Sequence, residues 1–273
     1  MPDYTALVTG ASSGVGRATA EAFLQEEWSV VATARDPDDL AALADAGCDT
    51  RALDVTAPGA CKAAVEDTVA EHGRIDCLVN AAGYAQYGPL EDVPTRRLHR
   101  QFDVNCYGPH RLAREALPHM REAGRGTVVN VSSALGRLSV AGVGPYAASK
   151  HALEAMSDAL RMELDGLGVD VVLVEPGPVD TDFRGRAQSE LEALERTDDY
   201  ASVYGGLEDR MTLGDLGAVS AEAVADTIVH AATCADPAAR YPVGQVARAA
   251  ALARFLPDSV RDGAVAFLRR VVS

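Results

Sequence analysis

Lysine is almost missing from this chain. Its 25 basic residues are all arginine except Lys62 and Lys150, and 40 aspartates and glutamates outnumber them. The formal net charge of −15 excludes a nucleic acid as partner, because holding a phosphate backbone depends on clustered Lys and Arg that release counterions. Acidity with so little lysine fits a halophilic cytoplasm, and equally a source whose codons favour arginine. Long apolar runs are absent too: none approaches the roughly 18 residues of a membrane-spanning helix. No basic stretch precedes the strand-like run at residues 4–9, so the N-terminus does not read as a signal peptide. The cysteines, Cys48, Cys61, Cys77, Cys106 and Cys234, are odd in number and not closely paired, and the histidines show no H-E-x-x-H spacing. These patterns argue against a disulfide framework and against any metal site. A cytoplasmic protein with buried thiols is expected.

At 273 residues the chain has room for one large domain with a well-buried core. Short β-rich runs at 6–9, 29–34, 50–55, 75–80, 126–132 and 169–175 alternate with helical patterns starting near Gly14, Pro37, Pro58, Thr95, Tyr146 and Ala221. Each run reads as apolar on both faces, which a strand covered by helices on both sides requires. The predicted fold class is therefore α/β: a doubly wound parallel sheet, helices on both faces, and a ligand site beyond the carboxyl ends of the strands.

Two patterns carry chemistry. Gly10, Gly14 and Gly16 in T-G-A-S-S-G-V-G fall where the first strand gives way to the first helix, so backbone N–H groups can approach a pyrophosphate. Tyr146 and Lys150 in P-Y-A-A-S-K stand one helical turn apart, which puts an ammonium near a phenol and favours its ionised form. A phenol with an ordinary pKa near 10 then becomes a usable acid or base. Ser132 and Ser133 lie upstream in N-V-S-S-A-L-G.

With the run N-A-A-G from Asn80, Asn105, and P-G-P-V-D-T from Pro176, these motifs resemble the short-chain dehydrogenase/reductase family, densely over residues 4–180 and loosely beyond. The resemblance implies a single Rossmann-like domain that moves hydride between a nicotinamide cofactor and a carbonyl or alcohol. It implies that Ser133, at the family distance before the tyrosine, hydrogen-bonds the substrate oxygen. Tyr146 would be the acid or base, Lys150 would lower its pKa and bind ribose, and Asn105 would hold a relay water. It implies cofactor contacts for the turn residues Thr9, Gly10, Ser12, Ser13, Gly14, Val15 and Gly16; for Asp54 and Val55 at the adenine; and for Asn80, Ala81 and Gly83 at its ribose. Pro176, Gly177, Val179 and Thr181 would border the nicotinamide.

The second strand ends in T-A-R-D, with Ala34 where an acidic residue would bind a ribose 2′-hydroxyl and Arg35 next to it. NADP(H) is thus favoured over NAD(H), although Asp36 adds a nearby negative charge. Leu135, Leu138, Val143, Pro178 and Phe183 form an expected apolar substrate pocket, suited to a lipophilic ketone, aldehyde or alcohol. Residues 180–217 are polar and turn-rich and read as a mobile lid, followed by C-terminal helices over 218–273. The amphipathic stretch 246–256 reads as part of a lid or subunit contact rather than as a membrane anchor. The tail R-Y-P-V-G and its Ala-rich sequel look similar to the steroid and retinoid dehydrogenase branch. The family further implies a homodimer or homotetramer through the helices near Thr95 and Tyr146. The alternative is a nucleotide-sensing regulator of the same fold that binds cofactor without turnover, against which the complete Ser133, Tyr146 and Lys150 set speaks. A sugar-nucleotide epimerase or dehydratase is disfavoured by the glycine spacing.

Overall fold

The computed structural model describes residues 4–181, 183–212, 217–253, 255–257 and 259–260. In chain order its elements are β1 (Thr5–Thr9), α1 (Gly14–Gln25), β2 (Ser29–Ala34), a 3-10 turn (Pro37–Leu40) entering α2 (Ala41–Asp45), β3 (Asp49–Ala52), α3 (Pro58–His72), β4 (Cys77–Asn80) and α4 (Thr95–Phe102). There follow α5 (Gly108–Ala123), β5 (Gly126–Val131), α6 (Gly144–Glu163), β6 (Val169–Pro176), α7 (Phe183–Glu192), α8 (Ala201–Thr212), α9 (Ala221–Thr233), β7 (Arg240–Val243) and α10 (Gln245–Ala253). Pro58 and Pro145 stand in the first turns of α3 and α6, where a proline's missing N–H costs nothing and its fixed φ favours the helix.

The strands form one parallel sheet in the order β3-β2-β1-β4-β5-β6-β7. Alternation along β1 sends Ala6 and Val8 to one face, against Phe23 of α1 and Ile228 of α9. Leu7 points to the other, against Leu112 of α5, Leu78 and Val128. Each of the larger of these buried side chains, Val, Leu, Ile or Phe, contributes about 1.5–3 kcal/mol of hydrophobic stabilisation. The chain winds outward from β1 to β3 and then crosses back to β4, so the strand order reverses at the β1/β4 pair. Thr9 is in register with Asn80, Asn80 with Asn130, Val131 with Val174 and Pro176 with Val243. The carboxyl ends thus share one rim, and a crevice opens there at the switch point.

The structure corrects several expectations. β3 is not apolar on both faces: its residues are half-buried or exposed because it is the sheet's edge, with Arg51 reaching Asp67 of α3 at 3.4 Å. It also ends at Ala52, which leaves Asp54 and Val55 in the loop beyond it. The R-Y-P-V run is a seventh strand, parallel to β6. Residues 183–192 and 201–212 are the helices α7 and α8 rather than turns. The excursion is pinched at its base, where Val179 pairs with Val219 and Pro178 accepts a hydrogen bond from the Val219 N–H at 2.9 Å. Arg97 of α4 ties it down through Glu190 Oε2 (2.6 Å) and the Ala193 carbonyl (3.1 Å), and Tyr204 donates to Asp92 at 2.7 Å. Parts of the expected lid and of the expected C-terminal helices, residues 182, 213–216, 254, 258 and 261–273, lie outside the described residues. Four of the five cysteines are buried and Cys234 is half-buried, all with free thiols. Burial pushes Cys48 and Cys61 up to about 11. Among the described residues no helix is long and apolar enough to cross a membrane.

Candidate active site

A cleft of about 1240 Å³ runs along the rim of the sheet. At one end lies the glycine turn. Gly10 holds φ at +69°, and a Cβ there would stand 2.7 Å from the Ala82 Cα, while a Cβ at Gly16 would overlap the Gly10 carbonyl. Only glycine lets these three backbones meet. The turn delivers the N-terminus of α1 to the cleft without a cap of its own: N-cap Ser13 makes no side-chain capping bond, and the first turn carries no acidic residue. The unsatisfied N–H groups and the positive end of the helix dipole suit an anion.

Ser12, Val15, Arg35, Asp54, Val55, Ala81, Gly83, Pro176, Gly177, Val179 and Thr181 line the cleft with this turn. Thr9 and Asn80 do not; they stand behind its wall. Thr9 Oγ1 donates to the Val79 carbonyl and accepts from the N–H groups of Ala81 and Ala82, each at 3.1 Å, while Asn80 Nδ2 donates to Asn130 Oδ1 at 2.8 Å. Asp54 is turned partly on itself: its Oδ1 accepts from the N–H of Thr56 at 2.9 Å, and that bond leads the causes that hold its carboxyl below the ordinary range, with Arg35 and Arg100 contributing. Asp36, the residue that weighed against a 2′-phosphate, caps its own 3-10 turn by accepting from the Asp38 N–H at 3.0 Å and is not part of the cleft lining.

Midway along the cleft, Ser133, Tyr146 and Lys150 come together. Tyr146 is buried between the rings of Tyr87 (centroids 6.1 Å) and Phe183 (5.8 Å), and Lys150 Nζ lies 5.8 Å from the centre of its ring. The ammonium donates to the Val131 carbonyl at 2.8 Å. Burial raises the phenol well above its ordinary pKa, with the neighbouring Tyr87 adding to the rise and a hydrogen bond from Ser133 opposing it. Burial also pushes Lys150 down to about 8, while Glu154 and Cys106 pull it back up. Burial is thus the leading influence on the Tyr146 phenol and acts upward, whereas the sequence pointed to an ammonium drawing it down. Asn105 occupies a π-helical turn, Asp103–Tyr107, between α4 and α5. There its side chain holds both backbone groups of Tyr84, accepting from the Tyr84 N–H at 3.1 Å and donating to the Tyr84 carbonyl at 3.0 Å. A Cβ at Gly83 would stand 3.2 Å from Asn105 Oδ1 and 3.9 Å from Lys150 Nζ, so both polar atoms border one small gap.

At the far end the lining is apolar: Leu135, Leu138, Val140, Val143, Pro178, Phe183 and Leu207, continued by Ala250 and Leu256. The stretch expected to be lid or subunit contact packs against this wall, with Ala247 and Ala250 of α10 on Ala134 and Leu138.

A short chain dehydrogenase family model matches residues 4–192. The chain belongs to the short-chain dehydrogenase family. It is 37% identical over 260 residues to the oxidoreductase YbbO of Escherichia coli K12, covering 94% of this chain and 91% of that one. To an NADPH-dependent 3-dehydrocapnine reductase of Ornithobacterium rhinotracheale it is 35% identical over 267 residues, covering 94% of each. A crystal structure of a short-chain dehydrogenase from Streptomyces avermitilis superposes with a TM-score of 0.83 at 33% identity, covering 98% of this chain and 97% of that one. The protein is thus an oxidoreductase with the family's Rossmann-like sheet.

Beside Ser133 and Lys150 lies a buried charge cluster that none of the sequence motifs marked. Arg137 Nε donates to Glu175 Oε1 at 2.8 Å, Arg240 Nε donates to Glu154 Oε2 at 3.1 Å, and Glu154 and Glu175 are both buried. Burial pushes the Glu154 carboxyl upward, opposed by the Ser132 hydroxyl, Arg137 and Arg240. The cluster joins the turn after Ser133, the helix of Lys150 and the strand that ends at Pro176. One signal was available: Glu154 continues the four-residue spacing of Tyr146 and Lys150. Gln101 was also missed; it accepts from the Gln86 N–H at 2.6 Å and donates to the Tyr84 carbonyl at 2.7 Å.

Proposed function

We propose that the protein is an NADPH-dependent reductase of a lipophilic ketone, running in reverse as an alcohol dehydrogenase. The observation that carries this reading is one cleft that joins an anion-ready glycine turn, the Ser133, Tyr146 and Lys150 group and an apolar end. The residues present fit a nicotinamide dinucleotide, since only glycines permit the cradle at Gly10 and Gly16 and the N-terminus of α1 faces it uncapped. When bound, a reduced nicotinamide supplies the hydride. The chain's own residues do the rest. Ser133 Oγ and the Tyr146 hydroxyl hold the substrate oxygen, and the phenol gives that oxygen its proton as hydride reaches the carbonyl carbon, so ketone plus NADPH plus one proton becomes alcohol plus NADP⁺. A phenol kept protonated by burial is in the form a reductive step requires. Lys150 then returns a proton toward the phenolate, and Asn105 borders the gap beside it.

Preference for NADP(H) is supported by Arg35 in the cleft lining, by Asp36 being turned into its own cap, and by the NADPH dependence of the 3-dehydrocapnine reductase relative. A lipophilic ketone is supported by the apolar lining. Free thiols suit the reducing cytoplasm, and the exposed side chains of Tyr107, in the turn before α5, and Met156, on α6, suit a homodimer or homotetramer contact. The test is NADPH oxidation against a panel of long-chain ketones, aldehydes and sugars, with kcat/KM compared for NADPH and NADH. Turnover of long-chain ketones with NADPH ahead of NADH is expected; turnover of sugars alone, or a clear NADH preference, contradicts the corresponding half of the reading.

A further inference from the structure

Arg186 of α7 reaches across the cleft mouth to the glycine turn: its Nη2 donates to Ser13 Oγ at 3.3 Å, over 173 residues of sequence. Ser13 is the N-cap of α1, yet its hydroxyl caps nothing, and the first turn of α1 offers no carboxylate. A guanidinium is thus parked beside the positive end of a helix, an arrangement that repels. The obvious neutralising partner is engaged elsewhere. Glu190, one turn along α7 from Arg186, is held by Arg97 at 2.6 Å. Among the described residues no carboxylate pairs with Arg186, although acidic residues outnumber basic ones by 40 to 25. The same excursion touches the turn at a second point, for a Cβ on Gly14 would meet Thr181 Cγ2 at 3.0 Å. Both Arg186 and Ser13 line the cleft.

Two positive features face one opening; of the carboxylates among the described residues that line the same cleft, Glu190 is held by Arg97, Asp103 by Arg111 and Asp54 by the Thr56 N–H, which leaves room for an anion whose oxygens both features could share. We propose that Arg186 is a phosphate-binding residue of the cofactor site: on binding, its guanidinium leaves Ser13 Oγ for a phosphate oxygen of the dinucleotide. The residue sits on the same helix as Phe183, whose ring packs on Tyr146. Occupancy of the phosphate end is thereby linked to the wall around the catalytic phenol. The proposal rests on the dinucleotide reading above and adds to it the contribution of a helix from the substrate side.

The experiment is calorimetric titration of the wild type, Arg186→Ala and Arg186→Lys with NADPH, NADH, 2′,5′-ADP and 5′-ADP, with unliganded melting curves to confirm an unchanged fold. Arg186→Ala is expected to weaken NADPH about tenfold or more, a charge-assisted hydrogen bond being worth about 1.5–3 kcal/mol, with Arg186→Lys regaining part of the loss. If the partner is the 2′-phosphate, NADPH and 2′,5′-ADP weaken while NADH and 5′-ADP do not; if it is the pyrophosphate, NADPH, NADH and 5′-ADP weaken together. A wild type that binds NADPH while Arg186→Ala binds all four ligands equally well overturns the proposal alone. A wild type that binds none of them overturns the dinucleotide reading and this proposal with it.

Discussion

The two ends of the cleft are built from different materials. The proposed phosphate end is framed by backbone: Gly10 and Gly16 packed on neighbouring main chain, Thr9 tying down the Ala81 and Ala82 peptides, and the N-terminus of α1, with Arg35 and Arg186 as side chains at its edge. The substrate end is side chains drawn from separate segments: Leu135 and Leu138 after β5, Val143 before α6, Phe183 of α7, Leu207 of α8 and Ala250 of α10. Backbone surfaces present the same N–H groups whatever the surrounding sequence, so they suit a constant ligand. A wall of side chains changes shape with each substitution and suits a particular one. Tyr146 and Lys150 stand where the two meet.

Substitutions can break that contrast. The largest effect is expected at the junction, where Lys150→Ala should lower turnover by about 10²–10⁴-fold and also weaken the dinucleotide, measured by steady-state rates and titration. At the phosphate end, Gly16→Ala forces a Cβ into the Gly10 carbonyl, and because backbone must move it should cost about 1–3 kcal/mol of stability by denaturant unfolding and much of the dinucleotide affinity. At the substrate end, Leu138→Ala should reduce kcat/KM for a long-chain ketone by about tenfold while leaving the dinucleotide Kd unchanged. Loss of dinucleotide binding there would show that the two ends are not separable. The smallest effect is on pH. With Lys150 pushed down to about 8, reductive kcat/KM should hold below that pH and fall above it as the ammonium loses its proton. The Glu154 charge raises Lys150, so Glu154→Gln should move that fall to lower pH.

The same contrast explains what could be read from the chain. Glycine spacing, the Tyr146 and Lys150 interval and the buried central strands are local signals, and the corresponding parts of the fold followed from them. The edge strands gave weaker signals: β3 is largely uncovered, and β7 carries Arg240 and Pro242 among four half-buried residues. α7 buries only Ala187 and Leu191, too few to mark a helical face in an acidic stretch. Thr9 and Asn80 belong to the cofactor motifs, but whether a side chain faces the cleft or supports it from behind depends on packing across strands. Arg137, Arg240 and Arg186 find partners 38, 86 and 173 residues away, separations over which no sequence pattern operates.

In the proposed reaction the Tyr146 phenol delivers the proton to the substrate oxygen. The most direct measurement of that step pairs NADPH titration with single-turnover ketone reduction in the wild type and Tyr146→Phe, a change that removes one hydroxyl from a ring packed between Tyr87 and Phe183. Nearly unchanged NADPH affinity is expected, together with a reduction rate about 10²-fold or more below wild type. A variant that binds NADPH normally and still reduces the ketone at more than a few per cent of the wild-type rate would contradict proton delivery by Tyr146.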